Sequence, residues 1–393
     1  MVRFEDLADS SKSAFSKPYG SAILKEDYLP RGVPVVRGVN LRNGIFFDDD
    51  FVFISEVKAD RMPGANLTSG DLVFTHRGTI GQVSMIPWNR KHNRYVLSTS
   101  HVKARLNPKR AVPEFYFYYF LSPQGQAELL KNISTVGVPG LAQPVATIKA
   151  LSVPHPPLAT QRAIAQVLGV LDDKITVNNR IASTAHGLGQ ALSASAHKTA
   201  ELVKLSEISN ITMGSSPPGE SYNEGEFGMP FYQGTRDFGD RFPGLRVWCT
   251  SPVRTASSGS CLVSVRAPVG RVNVARKLCC IGRGLAAVQS KFGTPSVLFH
   301  ELAAASDVWL PFESEGTVFG AINKQQLANI EIPALGAQSA RALENVLMPL
   351  DQRVASASDE NCALVELRNT LLPKLMSGQI RVRDAEKVVE DVT

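Results

Sequence analysis

Apolar and small residues recur along two stretches of the chain in the same unusual rhythm. In the first they fall at Ile164, Leu168, Leu171, Ile175, Asn178, Ala182, Ala185, Leu188 and Leu192. In the second they fall at Leu343, Leu347, Leu350, Val354, Ala357, Asn361, Leu364, Leu367 and Leu371. The steps are 4, 3, 4, 3, 4, 3, 3 and 4 in both. This is a heptad seam with one slip, the pattern of a long helix packed on another helix. About 35 residues at 1.5 Å each make a rod of roughly 50 Å. Pro154, Pro156 and Pro157 stand just before the first stretch, where a helix start tolerates proline. Gly187 and Gly189 weaken its far end. Asn178 and Asn361 lie on the seam without being equivalent, either buried and fixing register or at the edge in water.

Elsewhere the pattern alternates with period two. "GIFFDDDFVFIS", "DLVFTHRG" and "GQVSMIP" predict short strands bounded by Gly, Pro and Asp. Val112–Ile133 predicts helix behind Pro113, with Phe117, Phe120 and Leu121 on one face, and Ser296–Ser306 predicts its counterpart. The aromatics of the first helix read as core rather than as a platform for stacking bases.

The two rods belong to a larger duplication. Val2–Ala8 resembles Val203–Ser209 at an offset of 201, and Val33–Phe46 resembles Met229–Phe242 at 196. "GDLVFTHRGTIGQVSMIP" from Gly70 resembles "GSCLVSVRAPVGRVNVAR" from Gly259 at 189, and Leu151–Pro154 resembles Ile330–Pro333 at 179. The drift is what short loop insertions produce. The expected organisation is a globular domain over residues 1–155, a long helix over 156–198, a second domain over 199–334, a second helix over 335–378 and a tail over 379–393. The fold class is α+β: two repeated domains separated by two long antiparallel helices that form a coiled coil, with a pseudo-twofold axis and a domain at each end. The buried seam is expected to rest on Ile164, Leu168, Leu171, Ile175, Leu343, Leu347, Leu350 and Val354.

Length supports that division, since 393 residues exceed one ordinary core. The net charge of +6 is modest, but its distribution is not. No Asp or Glu occurs from Leu72 to Pro113, a window holding Arg77, Arg90, Lys91, Arg94, Lys103 and Arg105. None occurs from Arg241 to His300, which holds Arg266, Arg271, Arg276, Lys277 and Arg283, with Arg236 just before it. Two such windows form a footprint for a polyanion, against the blander alternative of a solvated basic face. Arg77-Gly78-Thr79 at the first hairpin tip combines a guanidinium suited to guanine or phosphate, an unhindered backbone, and a hydroxyl beside a methyl. An ordinary tight turn with a solvent-facing Arg remains the alternative. The second tip keeps Arg266 but follows it with Ala267-Pro268-Val269, so the scaffold is shared and the chemistry differs. His76 and His101 lie in the first window, within reach of phosphate or simply on the surface.

Catalytic signatures are missing: there is no P-loop and no G-x-S-x-G. Gly282–Ala287 fits G-x-G-x-x-A in strand-like surroundings, outside any βαβ unit, so it reads as coincidence. His300-Glu301 begins H-E-x-x-H, but position 304 is Ala. Asp48-Asp49-Asp50 reads as an acidic turn tip rather than a cation site. The five cysteines, Cys249, Cys261, Cys279, Cys280 and Cys362, form no C-x-x-C pair, which points to a reducing cytoplasm. No apolar run reaches a membrane span.

The hairpin at Gly70, the stretch "VPHPPLATQRAIAQVLGVLDDKI" and the closing "LLPKLMSGQI" resemble the specificity subunits of type I restriction-modification systems. The resemblance covers nearly the whole chain in the order domain, helix, domain, helix. It implies that each half is a target recognition domain for one part of a split DNA site. The helices would set the gap and dock modification subunits that carry S-adenosylmethionine and methylate adenine. A restriction subunit would supply ATP- and Mg-dependent translocation and cleavage. This chain would bind none of those cofactors and have no catalytic residue. The second hairpin and "PALGAQSA" depart from the first copy. The competing reading is a duplicated coiled-coil scaffold, or an adaptor for RNA, without DNA sequence specificity.

Overall fold

A computed structural model of the chain describes all residues except 21, 43, 132, 135–139, 313–319 and 393, and the side chains of 42, 134 and 199. The long helices run over Leu158–Ala196 and Ala337–Ser377. The chain divides into two compact units whose boundaries fall inside both helices. One unit comprises Met1–Thr176 and Asn361–Thr393, the other Val177–Glu360.

In the first unit, the strands Phe15–Ser16, His101–Ala104, Leu72–Thr75 and Val83–Met85 form an antiparallel sheet in that order. A second sheet orders Val52–Ile54, Val33–Val36, Tyr95–Leu97 and Asn66–Leu67, with Val35 opposite Val96 in the parallel middle pair. The aromatic stretch is not one helix but two, Pro113–Leu121 and Pro123–Leu130. Pro123 disfavours helical backbone at Ser122, and the Ser122 hydroxyl accepts from Gly125 N at 3.2 Å to start the second helix. Phe115, Tyr116, Tyr118, Tyr119 and Phe120 are buried, as core aromatics should be. Their cluster includes Phe4, Phe74, Ile164, Leu168 and Leu171 of the first long helix, and Leu364, Leu371 and Leu375 of the second. The expected tail carries a helix, Val382–Glu390, that buries Ala385 and Val389 in the same core.

The second unit repeats this plan. Ser209–Met213, Leu285–Ser290, Cys261–Ser264 and Val272–Val274 form the matching antiparallel sheet. Met229–Tyr232 and Cys279–Ile281 form the matching parallel pair, with Phe231 opposite Cys280. The counterpart helix is Pro295–Ala304. The long-helix segments are antiparallel here: Asn178 Nδ2 donates to Glu360 Oε2 at 2.8 Å, and Gly189 faces Leu347. Asn178 is therefore buried and hydrogen-bonded, the first of the two alternatives its position allowed. The helix also passes straight through Gly187 and Gly189. A Cβ on Gly189 would lie 3.0 Å from the His300 ring, so this glycine permits a close approach that outweighs its poor helix propensity. Of the expected seam residues, Ile164, Leu168, Leu171, Leu347 and Val354 are buried, and Ile175, Leu343 and Leu350 are half-buried.

Candidate nucleic-acid interface

Each basic hairpin stands at the edge of its antiparallel sheet. In the first, Leu72, Val73 and Phe74 face Met85, Ser84 and Val83. In the second, Cys261, Leu262 and Val263 face Val274, Asn273 and Val272. Both tips are braced by a later segment of the chain. Arg77 bridges to Gly140 and Leu141 N donates to His76 O, while Arg266 bridges to Ala321 and Ile322 N donates to Val265 O. The bracing leaves Arg77, Gly78 and Thr79 exposed in one unit, and Arg266, Ala267 and Pro268 exposed in the other. Gly78 has φ +89° with open space around it, which suits a backbone that must approach a ligand. Gly270, at φ +81°, has the ring of Trp309 where a Cβ would sit, so it is structural.

The two tips differ in how they are held. Ser264 Oγ donates to Pro268 O at 2.6 Å and accepts from Arg271 N at 2.8 Å, tying the second tip down. Asn273 bonds Gly239 through both its amide groups. The matching residues of the first unit are Thr75 and Ser84, whose buried hydroxyls have no hydrogen-bond partner among the described residues. His101 Nε2, buried beside them, has none either. The second tip is thus fastened by side chains that the first lacks.

The structure sorts the expected contact residues by what they already hold. Arg77, Arg236, Arg266, Arg271, Lys277 and Arg283 are exposed and have no ion-pair partner among the described residues. Lys91 pairs with Asp49 at 2.9 Å, and Arg94 with Glu56 at 3.0 Å and Asp60 at 2.8 Å. Such exposed pairs are weak and exchange readily for a phosphate. Arg276 pairs with Asp359 and lies over the Phe242 ring, and Arg90 is half-buried.

Two expectations are corrected. Lys103 is 0 % exposed and donates to Asn66 O at 2.9 Å, and burial lowers its pKa to about 8. Arg105 makes two bonds, of 2.7 and 2.6 Å, to the buried carboxylate of Asp71. Both point into the unit, because the strand His101–Ala104 is flanked on both sides and covered by the second sheet. His76 and His101 are buried as well, so neither is a surface phosphate ligand. The acid-free windows of the sequence are not acid-free in space: Asp49, Glu56, Asp60 and Asp71 pair with Lys91, Arg94 and Arg105 of the first, and Asp351, Asp237 and Asp359 with Arg241, Arg246 and Arg276 of the second. The acidic turn behaves as expected, with Asp48 accepting from Tyr95 Oη and Lys91 N at 2.6 Å each. No group of three or more His, Cys, Asp or Glu placed to hold a metal occurs among the described residues.

The chain is similar to known proteins along most of its length. Residues 2–185 match the family described as type I restriction modification DNA specificity domain. A type I restriction enzyme MjaX specificity subunit from Methanocaldococcus jannaschii is 26 % identical over 375 residues, 90 % of this chain and 88 % of that protein. Residues 2–185 thus match the DNA specificity domain of type I restriction-modification systems, and the chain is similar to type I specificity subunits along most of its length. The crystal structure of a type I system S subunit from M. genitalium shares its fold, with a TM-score of 0.64 at 16 % identity over 95 % of each chain. An HsdS subunit from Thermoanaerobacter tengcongensis is 26 % identical over 96 % of each chain, with a TM-score of 0.36. Specificity subunits of this family are non-catalytic, DNA-recognising members of restriction-modification complexes. No described helix of this chain is long and apolar enough to cross a membrane.

What sequence reasoning missed lies where each domain meets the long helices. Tyr118 Oη donates to Asp172 at 2.7 Å, Arg368 donates to the same carboxylate at 2.6 Å, and Glu344 accepts from the backbone of Ser296 and Val297. One signal was present: Asp172 and Asp351 are 179 residues apart, the offset of the long helices themselves.

Proposed function

We propose that each unit reads one part of a bipartite, asymmetric DNA site through its hairpin tip, while the paired helices set the gap between the parts. The observation that carries this reading is the pair of matched tips. Arg77 and Arg266 occupy the same braced position on the corresponding sheets of the two units, and the residues after them differ. A guanidinium there can grip the O6 and N7 edge of guanine or a phosphate, and the neighbours choose between bases. Arg236, Arg271, Lys277 and Arg283 would hold backbone phosphates, and Lys91 and Arg94 would join them by exchanging partners.

In this reading the partners are double-stranded DNA, modification subunits docked on the helices, and a restriction subunit. S-adenosylmethionine, ATP and Mg belong to those partners, none of them to this chain, and the complex works in the cytoplasm. Methylome sequencing of cells with and without the gene tests the proposal. One bipartite motif should lose its methylation when the gene is removed. An unchanged methylome refutes it.

A further inference from the structure

The long helices carry an aspartate at one shared register, Asp172 in the first and Asp351 in the second. In each unit that carboxylate is reached by the sixth residue of the domain's proline-initiated helix. In the first unit this is Tyr118, whose hydroxyl donates to Asp172 Oδ2 at 2.7 Å. In the second it is His300, whose Nε2 lies 3.5 Å from Asp351 Oδ1. Each carboxylate also meets an arginine, but from different places. Arg368, on the second long helix, donates to Asp172 at 2.6 Å. The position matching Arg368 on the first long helix is Gly189, 179 residues earlier, which makes room for the His300 ring. The arginine on Asp351 comes instead from the domain, as Arg241. Burial alone would raise the Asp351 carboxyl, but His300 and Arg241 outweigh it and hold it below the ordinary carboxylate range.

A second fastening accompanies the first. Gln161 Oε1 accepts from Val112 N at 2.9 Å, at the start of the domain helix of the first unit. Glu344 accepts from Ser296 N at 3.2 Å and Val297 N at 3.0 Å, at the start of its counterpart. Each domain is therefore held to its long helix at two points, the helix start and the helix body. Two points fix a rotation where one would leave a swivel. The carboxylate contact is the one that recurs at the same register in both copies despite different partners.

We propose that Asp172 and Asp351 are positioning residues for recognition. By fixing the rotation of each domain on its helix, they set how many base pairs separate the two parts of the site. This rests on the split-site reading above. A hydroxyl hydrogen bond to a charged acceptor is directional, and Tyr118 keeps its ring in the core whether or not the hydroxyl is present, so rotation is controlled separately from packing.

The test uses the full chain assembled with its modification subunits in cells, carrying Tyr118→Phe or Asp351→Asn. Methylome sequencing then scores the motif at its native spacing and at spacings one base pair longer and shorter. Tyr118→Phe should keep native-spacing methylation within about twofold, while the preference for native over shifted spacing falls about ten- to 150-fold, the range one hydrogen bond to a charged group spans. Asp351→Asn should shift the same ratio in the same direction. An unchanged ratio in Tyr118→Phe overturns the inference. So does equal loss at all spacings together with a lowered melting temperature, which would mark the contact as merely structural. If the unaltered chain directs no bipartite methylation, the split-site reading fails first, and the pins fall with it.

Discussion

His101 gives a quantitative test of how the first hairpin is supported. It is 1 % exposed, pairs with Thr75 across the sheet and meets Ser98 Oγ through Nδ1 at 2.8 Å. Burial pushes its pKa down from the ordinary histidine value to about 4, with His76 nearby adding to the shift. The folded pKa lies below the unfolded one. Between about pH 6.5 and about pH 4 the unfolded chain therefore binds the extra proton, and stability rises with pH in that window. At about pH 5 an unfolded imidazole is almost fully protonated and the folded one hardly at all. The difference is worth about 2 kcal/mol, or about 30-fold in an opening equilibrium. His101→Leu should remove it, and leucine stands at the matching strand position of the second unit, Leu285. Native-state hydrogen exchange over residues 95–106, corrected for intrinsic exchange, reads the effect at about pH 5 and about pH 7.5. The wild-type chain should lose about 30-fold more protection on acidification than His101→Leu does. Equal losses, or a larger loss in the variant, would refute the argument that a buried neutral imidazole lies under the tip.

Arg77→Ala and Arg266→Ala should each weaken binding of the assembled complex to its site by about 1–3 kcal/mol in a titration, with no change in melting temperature, because both side chains are exposed. Arg105→Ala should behave in the opposite way. It leaves the Asp71 carboxylate, 1 % exposed, buried without its cation, so stability falls by about 3 kcal/mol in denaturant unfolding. His197 accounts for a pH effect of the other sign: the hydrogen bond to Glu301 at 2.9 Å raises its pKa. Its contribution is complete below the unfolded histidine pKa and is lost as pH rises through the folded value, so His197→Gln should flatten the difference in melting temperature between about pH 6 and about pH 8. Binding of the complex to DNA should fall steeply with added salt, and a log–log slope near zero in a filter-binding series would contradict a phosphate-holding surface.

Periodicity was enough to place the long helices, because a heptad stripe has one stable use, packing along another helix. Repetition was enough to pair the hairpins, since the same alternation with the same flanking glycines folds to the same strand pair. Arg77 and Arg266 were legible for that reason. A turn between two short strands has nowhere to put a long cation except solvent. Lys103 and Arg105 were not, although they lie in the same basic run. Alternation says which residues share a face of a strand, and only the second sheet decides that this face is covered. Nor does a window of sequence carry its own net charge into space, as Asp71, Glu56 and Asp60 show by closing on cations 34 or more residues away. The sequence by itself determined the duplication, the helices and the two tips, all of which follow from local spacing. The tertiary structure alone decided which cations stay free and which aspartates pin each domain to its helix. Charge pairing and hydrogen bonding depend on distances of a few ångströms between segments that the chain order keeps far apart.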